Sequence, residues 1–93
     1  MKYFALFYYF VDDYLSKRTQ FREEHLQLAN ESHKNGALIL AGAFSDPADK
    51  ALLVFKTADK STVEEFVSKD PYVKNGLVTR WEIRDWNVVI GNN

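Results

Sequence analysis

Residues 2–10 read KYFALFYYF, and this stretch decides the fold. Its enrichment in tyrosine and phenylalanine, closed by an acidic pair, is typical of a β-strand. Both faces of the strand are apolar, whereas a strand in a monomeric antiparallel sheet usually leaves one face polar. The pattern therefore predicts a strand covered on both faces, by helices on one and by a partner sheet or a ligand on the other.

The stretch after this strand predicts a long amphipathic helix. Asp12 or Asp13 can cap its start, and Asn35-Gly36 supply a left-handed stop at its end. At 100° per residue, one arc of this helix collects the apolar side chains and the opposite arc is polar. His25 lies near the centre of the apolar arc, which makes it a candidate functional residue.

The rest of the chain supplies a hairpin, a second helix and a last strand. Apolar runs at 37–44 and 51–56 are joined by turn chemistry and predict two paired strands. Residues 61–64 read as a capping box that opens a short helix, which ends at Asp70-Pro71. A strand pattern follows at 77–90, and 91–93 read as a frayed end. The order βαββαβ predicts an α+β, ferredoxin-like domain with a four-stranded antiparallel sheet.

Composition places the chain among ordinary globular proteins. It has 93 residues, 46% of them hydrophobic, a net charge of −1 and no cysteine. One domain over residues 1–93 is expected, and its small size favours extra burial through self-association. The balanced charge and the short apolar runs indicate no nucleic-acid or membrane partner. The absence of cysteine fits a cytoplasmic protein.

A set of short motifs along the chain resembles a known family. The motifs are Arg22-x-x-His25-Leu26, Ala41-Gly42-Ala43, Asp70-Pro71-Tyr72 and Trp86. In this order and spacing they resemble the YciI-like (YCII) family. The resemblance implies a dimeric α+β barrel, in which two four-stranded sheets face each other, and kinship with muconolactone isomerase-like folds and chloroaromatic dehydrochlorinases. It also implies an active site built from His25 and Asp70.

The residues themselves lead to the same pair. A neutral imidazole accepts a proton near neutral pH, and a carboxylate on its other nitrogen fixes the tautomer and stabilises the imidazolium that forms. In a ferredoxin-like domain both helices lie on one face of the sheet, so His25 and Asp70 can converge. The alternatives are a core histidine with a satisfied hydrogen bond and an aspartate that merely ends a helix.

Other polar residues are candidates for substrate binding. Arg18 and Arg22 can hold an anionic substrate, or they can lay their aliphatic stems on apolar surface. Tyr72 and Ser45 are candidate substrate contacts, with core and turn roles as the alternatives. His33 is expected to interact with the helix dipole.

The predicted function is that of a small-molecule enzyme. We expect a cofactor-independent lyase or isomerase, in particular a dehydrochlorinase that removes chloride from a chlorinated hydroxyquinol or lactone with His25 as general base. No cofactor is expected, and His25 and His33 lack the usual spacing of a metal pair. The alternative is a module that binds a small ligand or completes a homodimer without catalysis.

Overall fold

The secondary structure follows the predicted βαββαβ order. The computed structural model describes residues 1–92, so Asn93, in the predicted frayed end, lies outside the described residues. Along the chain the elements are β1 (Lys2–Phe10), α1 (Tyr14–Lys17), a 3-10 turn (Arg18–Gln20), α2 (Arg22–Lys34), β2 (Leu38–Ala43), β3 (Lys50–Thr57), α3 (Ser61–Lys69), α4 (Pro71–Lys74) and β4 (Val78–Trp86).

The four strands form one antiparallel sheet in the order β2-β3-β1-β4. β1 therefore lies inside the sheet, and its Leu6 pairs with Leu53 of β3 and with Ile83 of β4. This arrangement confirms the predicted α+β, ferredoxin-like fold class. Because β1 has a neighbouring strand on each edge, its position inside the sheet explains why the stretch at 2–10 is apolar on both faces.

The two faces of the sheet are buried to different degrees. On one face Phe4, Leu6 and Tyr8 are at most 2% exposed and pack in one cluster with side chains of the helices. On the other face the alternate side chains Tyr3 and Phe7 are only partly buried. Helices thus cover one face of β1, as the sequence predicts.

The predicted first helix is divided into two helices. α1 ends at Lys17, and a 3-10 turn separates it from α2. In this region Thr19 Oγ1 donates a hydrogen bond to the Ser16 carbonyl over 3.0 Å. Such local side-chain bonds compete with the regular helical pattern. The predicted acidic cap is also wrong, because Asp13 has a positive φ of 62° and makes no side-chain capping bond.

The predicted capping box at 61–64 is also wrong. α3 begins at Ser61, and the carboxylate of Asp59 accepts hydrogen bonds from the Ser61 N–H and hydroxyl. These two bonds lower the pKa of Asp59 below its ordinary value. The side chain that stabilises the start of α3 therefore precedes the predicted motif.

β4 is shorter than the strand predicted at 77–90. It ends at Trp86, which pairs with Tyr3 near the start of β1. None of the helices within residues 1–92 has the length and apolar character needed to cross a membrane.

Candidate active site

Asp70 lies at the junction of α3 and α4 and its side chain is fully buried. Its Oδ1 accepts a hydrogen bond from the Tyr72 N–H over 3.0 Å, and its Oδ2 accepts one from the Tyr8 hydroxyl over 2.8 Å. His25 Nδ1 lies 2.8 Å from Oδ1. Donors on three sides are what an ionised carboxylate requires when it is removed from water.

His25 projects from α2 with 16% of its side chain exposed. An ionised carboxylate only accepts, so His25 Nδ1 carries the proton of the bond to Asp70, and the lone pair of the neutral imidazole then lies on Nε2. The imidazole also stacks on the Tyr72 ring, with centroids 3.9 Å apart and planes 7° from parallel. The hydrogen bond and the stacking together hold one proton-accepting nitrogen in one orientation.

Two phenols near Asp70 are held in the neutral form. Burial raises the pKa of Tyr8 well above its ordinary value, and the charge of Asp70 together with the hydrogen bond to it raises this pKa further. Burial likewise raises the pKa of Tyr72 to about 12. Both hydroxyls are therefore donors at neutral pH. Tyr8 uses its proton on Asp70, whereas the Tyr72 hydroxyl has no hydrogen-bond partner among residues 1–92.

Arg18 and Arg22 lie beside this dyad. The guanidinium carbon of Arg18 is 5.3 Å from the centre of the Tyr14 ring, and its Nη1 is 3.5 Å from the Tyr14 hydroxyl. The Tyr14 ring in turn stacks on Phe10 with 3.6 Å between centroids. Among residues 1–92 no carboxylate forms an ion pair with Arg18 or Arg22. Both positive charges are thus available to a ligand.

A cavity of about 400 Å³ joins these groups. It lies between α2 and the strands β2 and β3, and a pocket of this size accommodates a small molecule. Asp70 stays behind the wall that His25 and Tyr72 form. The cavity is lined by Tyr8, Phe10, Tyr14, Arg18, Arg22, His25, Leu26, Ala29, Asn30, His33, Leu38, Ile39, Leu40, Ala41, Gly42, Ala43, Ala51, Leu53 and Tyr72.

The YCII-related domain model matches the chain over residues 1–87. The chain belongs to the YCII family. No curated protein sequence matches it.

Several solved structures share the fold of this YCII protein. 5-Chloro-2-hydroxyhydroquinone dehydrochlorinase from Burkholderia phenoliruptrix AC1100, in complex with 2,5-dihydroxybenzoquinone, matches with a TM-score of 0.80 and 17% identity over 98% of this chain and 99% of its own. A protein from Agrobacterium tumefaciens matches with a TM-score of 0.63 and 12% identity over 98% and 96%. An antibiotic biosynthesis monooxygenase matches with a TM-score of 0.57 and 9% identity over 96% and 99%. At these identities the likeness establishes the fold.

The structure brings most of the predicted site residues of the YCII chain together. His25, Arg18, Arg22 and Tyr72 line the cavity, with Asp70 bonded to His25 behind them. Ser45 lies outside the cavity lining, because β2 ends at Ala43 and an exposed turn follows.

His33 and Tyr8 have roles that the sequence does not specify. His33 Nδ1 lies 2.7 Å from the Leu38 carbonyl, so it donates a bond to β2 and makes more than a general interaction with the helix dipole. Tyr8, which the sequence does not single out, is the second side chain that bonds to Asp70. No group of three or more histidine, aspartate or glutamate side chains suited to a metal ion occurs within residues 1–92.

Proposed function

We propose that this YCII protein is a cofactor-independent lyase that eliminates chloride, or a comparable leaving group, from a small hydroxylated ring or lactone. The observation that carries the proposal is the 2.8 Å contact between His25 Nδ1 and Asp70 Oδ1 at the wall of the cavity. This contact leaves His25 Nε2 as a general base. Asp70 fixes the tautomer and stabilises the imidazolium after proton transfer.

The reaction needs one proton acceptor and one leaving group. His25 Nε2 takes a proton from the substrate, and the electron pair of the broken bond moves through the conjugated system to form a new π bond. The bond to the leaving group breaks, and chloride departs with its electron pair. The proton on His25 then passes to water, so that the products are the dechlorinated ring and the elements of hydrogen chloride. A half-buried, partly apolar cavity favours this charge transfer.

The substrate class is supported by charge and by the structural neighbour. Arg18 and Arg22 give the cavity two guanidinium groups without a carboxylate partner among residues 1–92, which suits an anionic or hydroxylated ring. The Burkholderia dehydrochlorinase of the same fold holds a dihydroxybenzoquinone. A chlorinated hydroxyquinol, of the kind met in the degradation of chloroaromatic compounds, is therefore the first substrate class to test.

We further propose that the protein is a cytoplasmic homodimer in which the second copy covers the open face of the sheet, forming a dimeric α+β barrel. Tyr3, Phe7 and Tyr9 are only partly buried on this face, and Trp86 is 47% exposed. Such a concentration of aromatic side chains on one face is typical of a subunit interface. The absence of cysteine supports the cytoplasmic location.

The test is chloride release from a panel of chlorinated hydroxyquinols and chlorolactones. The wild type, His25→Ala, Asp70→Asn and the matched control Asp12→Asn, at an exposed position, are assayed together. We expect release by the wild type and the control and a loss of at least about 100-fold in the other two, the usual contribution of a general base. Full activity of His25→Ala contradicts the mechanism. No release from any compound favours a non-catalytic binding module.

A further inference from the structure

The hydroxyl of Tyr72 is the feature of the site that the dyad does not use. The side chain is 1% exposed, and its oxygen has no hydrogen-bond partner among residues 1–92. A buried hydroxyl that has lost water and gained no partner is unfavourable, and phenylalanine would fill the same space without that cost. The hydroxyl therefore points to a partner that the free protein does not contain.

The surroundings of this hydroxyl define the chemistry of the missing partner. Tyr72 lines the same cavity as Arg18 and Arg22, and the positive charges of both arginines act on its phenol. The Tyr14 hydroxyl is close enough to raise the pKa of Tyr72, but it makes no hydrogen bond of regular geometry with the Tyr72 hydroxyl and lies 3.5 Å from Arg18 Nη1. This end of the cavity thus offers a phenol O–H and two guanidinium groups. Its complement is an acceptor that carries negative charge.

We infer that the Tyr72 hydroxyl donates a hydrogen bond to an ionised oxygen of the ligand, a phenolate, enolate or carboxylate, which Arg18 and Arg22 neutralise. Tyr72 is then a specificity-determining residue that selects ring compounds bearing an anionic oxygen. The inference deepens the proposed function and rests on it for the view that the cavity is a substrate site.

Tyr72 also contacts the proposed general base, His25, so it connects the ligand's ionised oxygen with the group that removes the proton. Its ring stacks on the His25 imidazole, and its backbone N–H donates to Asp70. Tyr72 therefore sets the position of the proton acceptor, His25, and also of the hydroxyl that binds the ionised oxygen of the ligand. This arrangement restricts which proton of the ring the base can reach.

The test is binding of 4-nitrophenolate and of nitrobenzene to the wild type, Tyr72→Phe and the control Tyr3→Phe, measured by calorimetry. Both substitutions remove a single hydroxyl, and Tyr3 lies outside the cavity lining. We expect Tyr72→Phe to bind the phenolate about 10- to 100-fold more weakly, the usual effect of losing a hydrogen bond to a charged group, with nitrobenzene unchanged. The pKa of bound 4-nitrophenol should also be higher on Tyr72→Phe than on the wild type, because the variant lacks a donor to the phenolate oxygen. The absorbance of the bound compound during a pH titration measures this pKa.

Stability supplies a second readout that a structural role cannot imitate. Removing an unpaired buried hydroxyl should leave the urea midpoint of Tyr72→Phe equal to or above that of the wild type. Equal phenolate affinity in the two proteins, a matching loss for nitrobenzene, a lowered urea midpoint, or no phenolate binding by the wild type each overturns the inference. The assay measures binding alone, so its outcome is separate from that of the chloride-release assay.

Discussion

The imidazole of His25 lies flat against the phenol ring of Tyr72, with 3.9 Å between the ring centroids and 7° between the planes. His25 belongs to α2 and Tyr72 to α4, so the contact joins two helices that are far apart in the sequence. Asp70 binds both residues through one oxygen, Oδ1. His25, Asp70 and the Tyr72 ring therefore form a single packed unit. We expect substitutions at these three positions to have non-additive effects on stability and activity.

Replacing Asp70 with asparagine should damage both activity and stability. The amide would present an N–H₂ group to at least one of the three donors that now bond to the carboxylate. We expect the free energy of unfolding to fall by about 1–3 kcal/mol, the usual cost of a buried group left unpaired. Urea denaturation followed by circular dichroism measures it, with Asp12→Asn as the control. An unchanged midpoint would show that the buried network contributes nothing to stability.

Replacing Tyr8 with phenylalanine should separate stability from catalysis. The change removes the donor to Asp70 Oδ2 but leaves both donors to Oδ1, including His25. We expect a loss of about 1–3 kcal/mol in the free energy of unfolding, since a buried carboxylate oxygen loses its partner. Turnover should fall less than in Asp70→Asn, because the tautomer of His25 is still fixed. Urea denaturation and kcat on a working substrate test this, and a variant as inactive as Asp70→Asn would contradict it.

Stability should decrease at alkaline pH because of Tyr8 and Tyr72. Burial, as the largest cause, raises the pKa of both phenols above the ordinary value of 10.0, to about 12 for Tyr72. As pH rises above about 10, the unfolded chain loses these protons while the folded chain keeps them, so the free energy of unfolding falls. Each tyrosine contributes at most about 1.4 kcal/mol per pH unit. Urea midpoints between pH 8 and 11 should fall less steeply in Tyr8→Phe than in the wild type, and parallel curves would refute this.

The fold is predictable from the sequence because its decisive signals are local. The apolar stretch at 2–10, the helical period around His25 and the turn chemistry between β2 and β3 each act over a few residues. Together they specify βαββαβ and, through it, the sheet order in which β1 lies inside. The ends of the helices are less predictable. Asp13 adopts a positive φ and makes no side-chain capping bond, whereas Thr19 and Asp59 form side-chain bonds whose geometry the residue types alone do not determine.

The candidate site is predictable in its residue types and not in its contacts. His25 is recognisable as an imidazole on an apolar face and Asp70 as a helix end before proline, but 45 positions separate them in the chain. Their 2.8 Å contact depends on how α2 packs against the α3–α4 junction, which is a property of the whole fold. The same holds for Tyr8, since its hydroxyl reaches Asp70 across 62 positions. A tyrosine in an aromatic strand gives no sign of that partner.

The proposed dimer gives a prediction that does not depend on catalysis. Phe7 lies on the open face of β1, flanked by Leu52 of β3 and Glu82 of β4, and it is only partly buried in the single chain. If a second sheet covers this face, Phe7→Lys replaces an apolar contact with a charge that must be removed from water in the interface, a cost that its neighbour Glu82 offsets only in part. The matched control is Leu15→Lys, because Leu15 is 54% exposed and lies in α1, outside the sheet.

Sedimentation over a concentration series tests this prediction. The wild type and Leu15→Lys should sediment with twice the 10.8 kDa mass of the chain, and Phe7→Lys should sediment as a monomer. Circular dichroism of the monomer should show the secondary structure retained, since Phe7 lies outside the buried cluster between the sheet and the helices. A wild type that is monomeric at every concentration, or a dimeric Phe7→Lys, would show that this face pairs with no second copy. The aromatic side chains of the open face would then require another explanation.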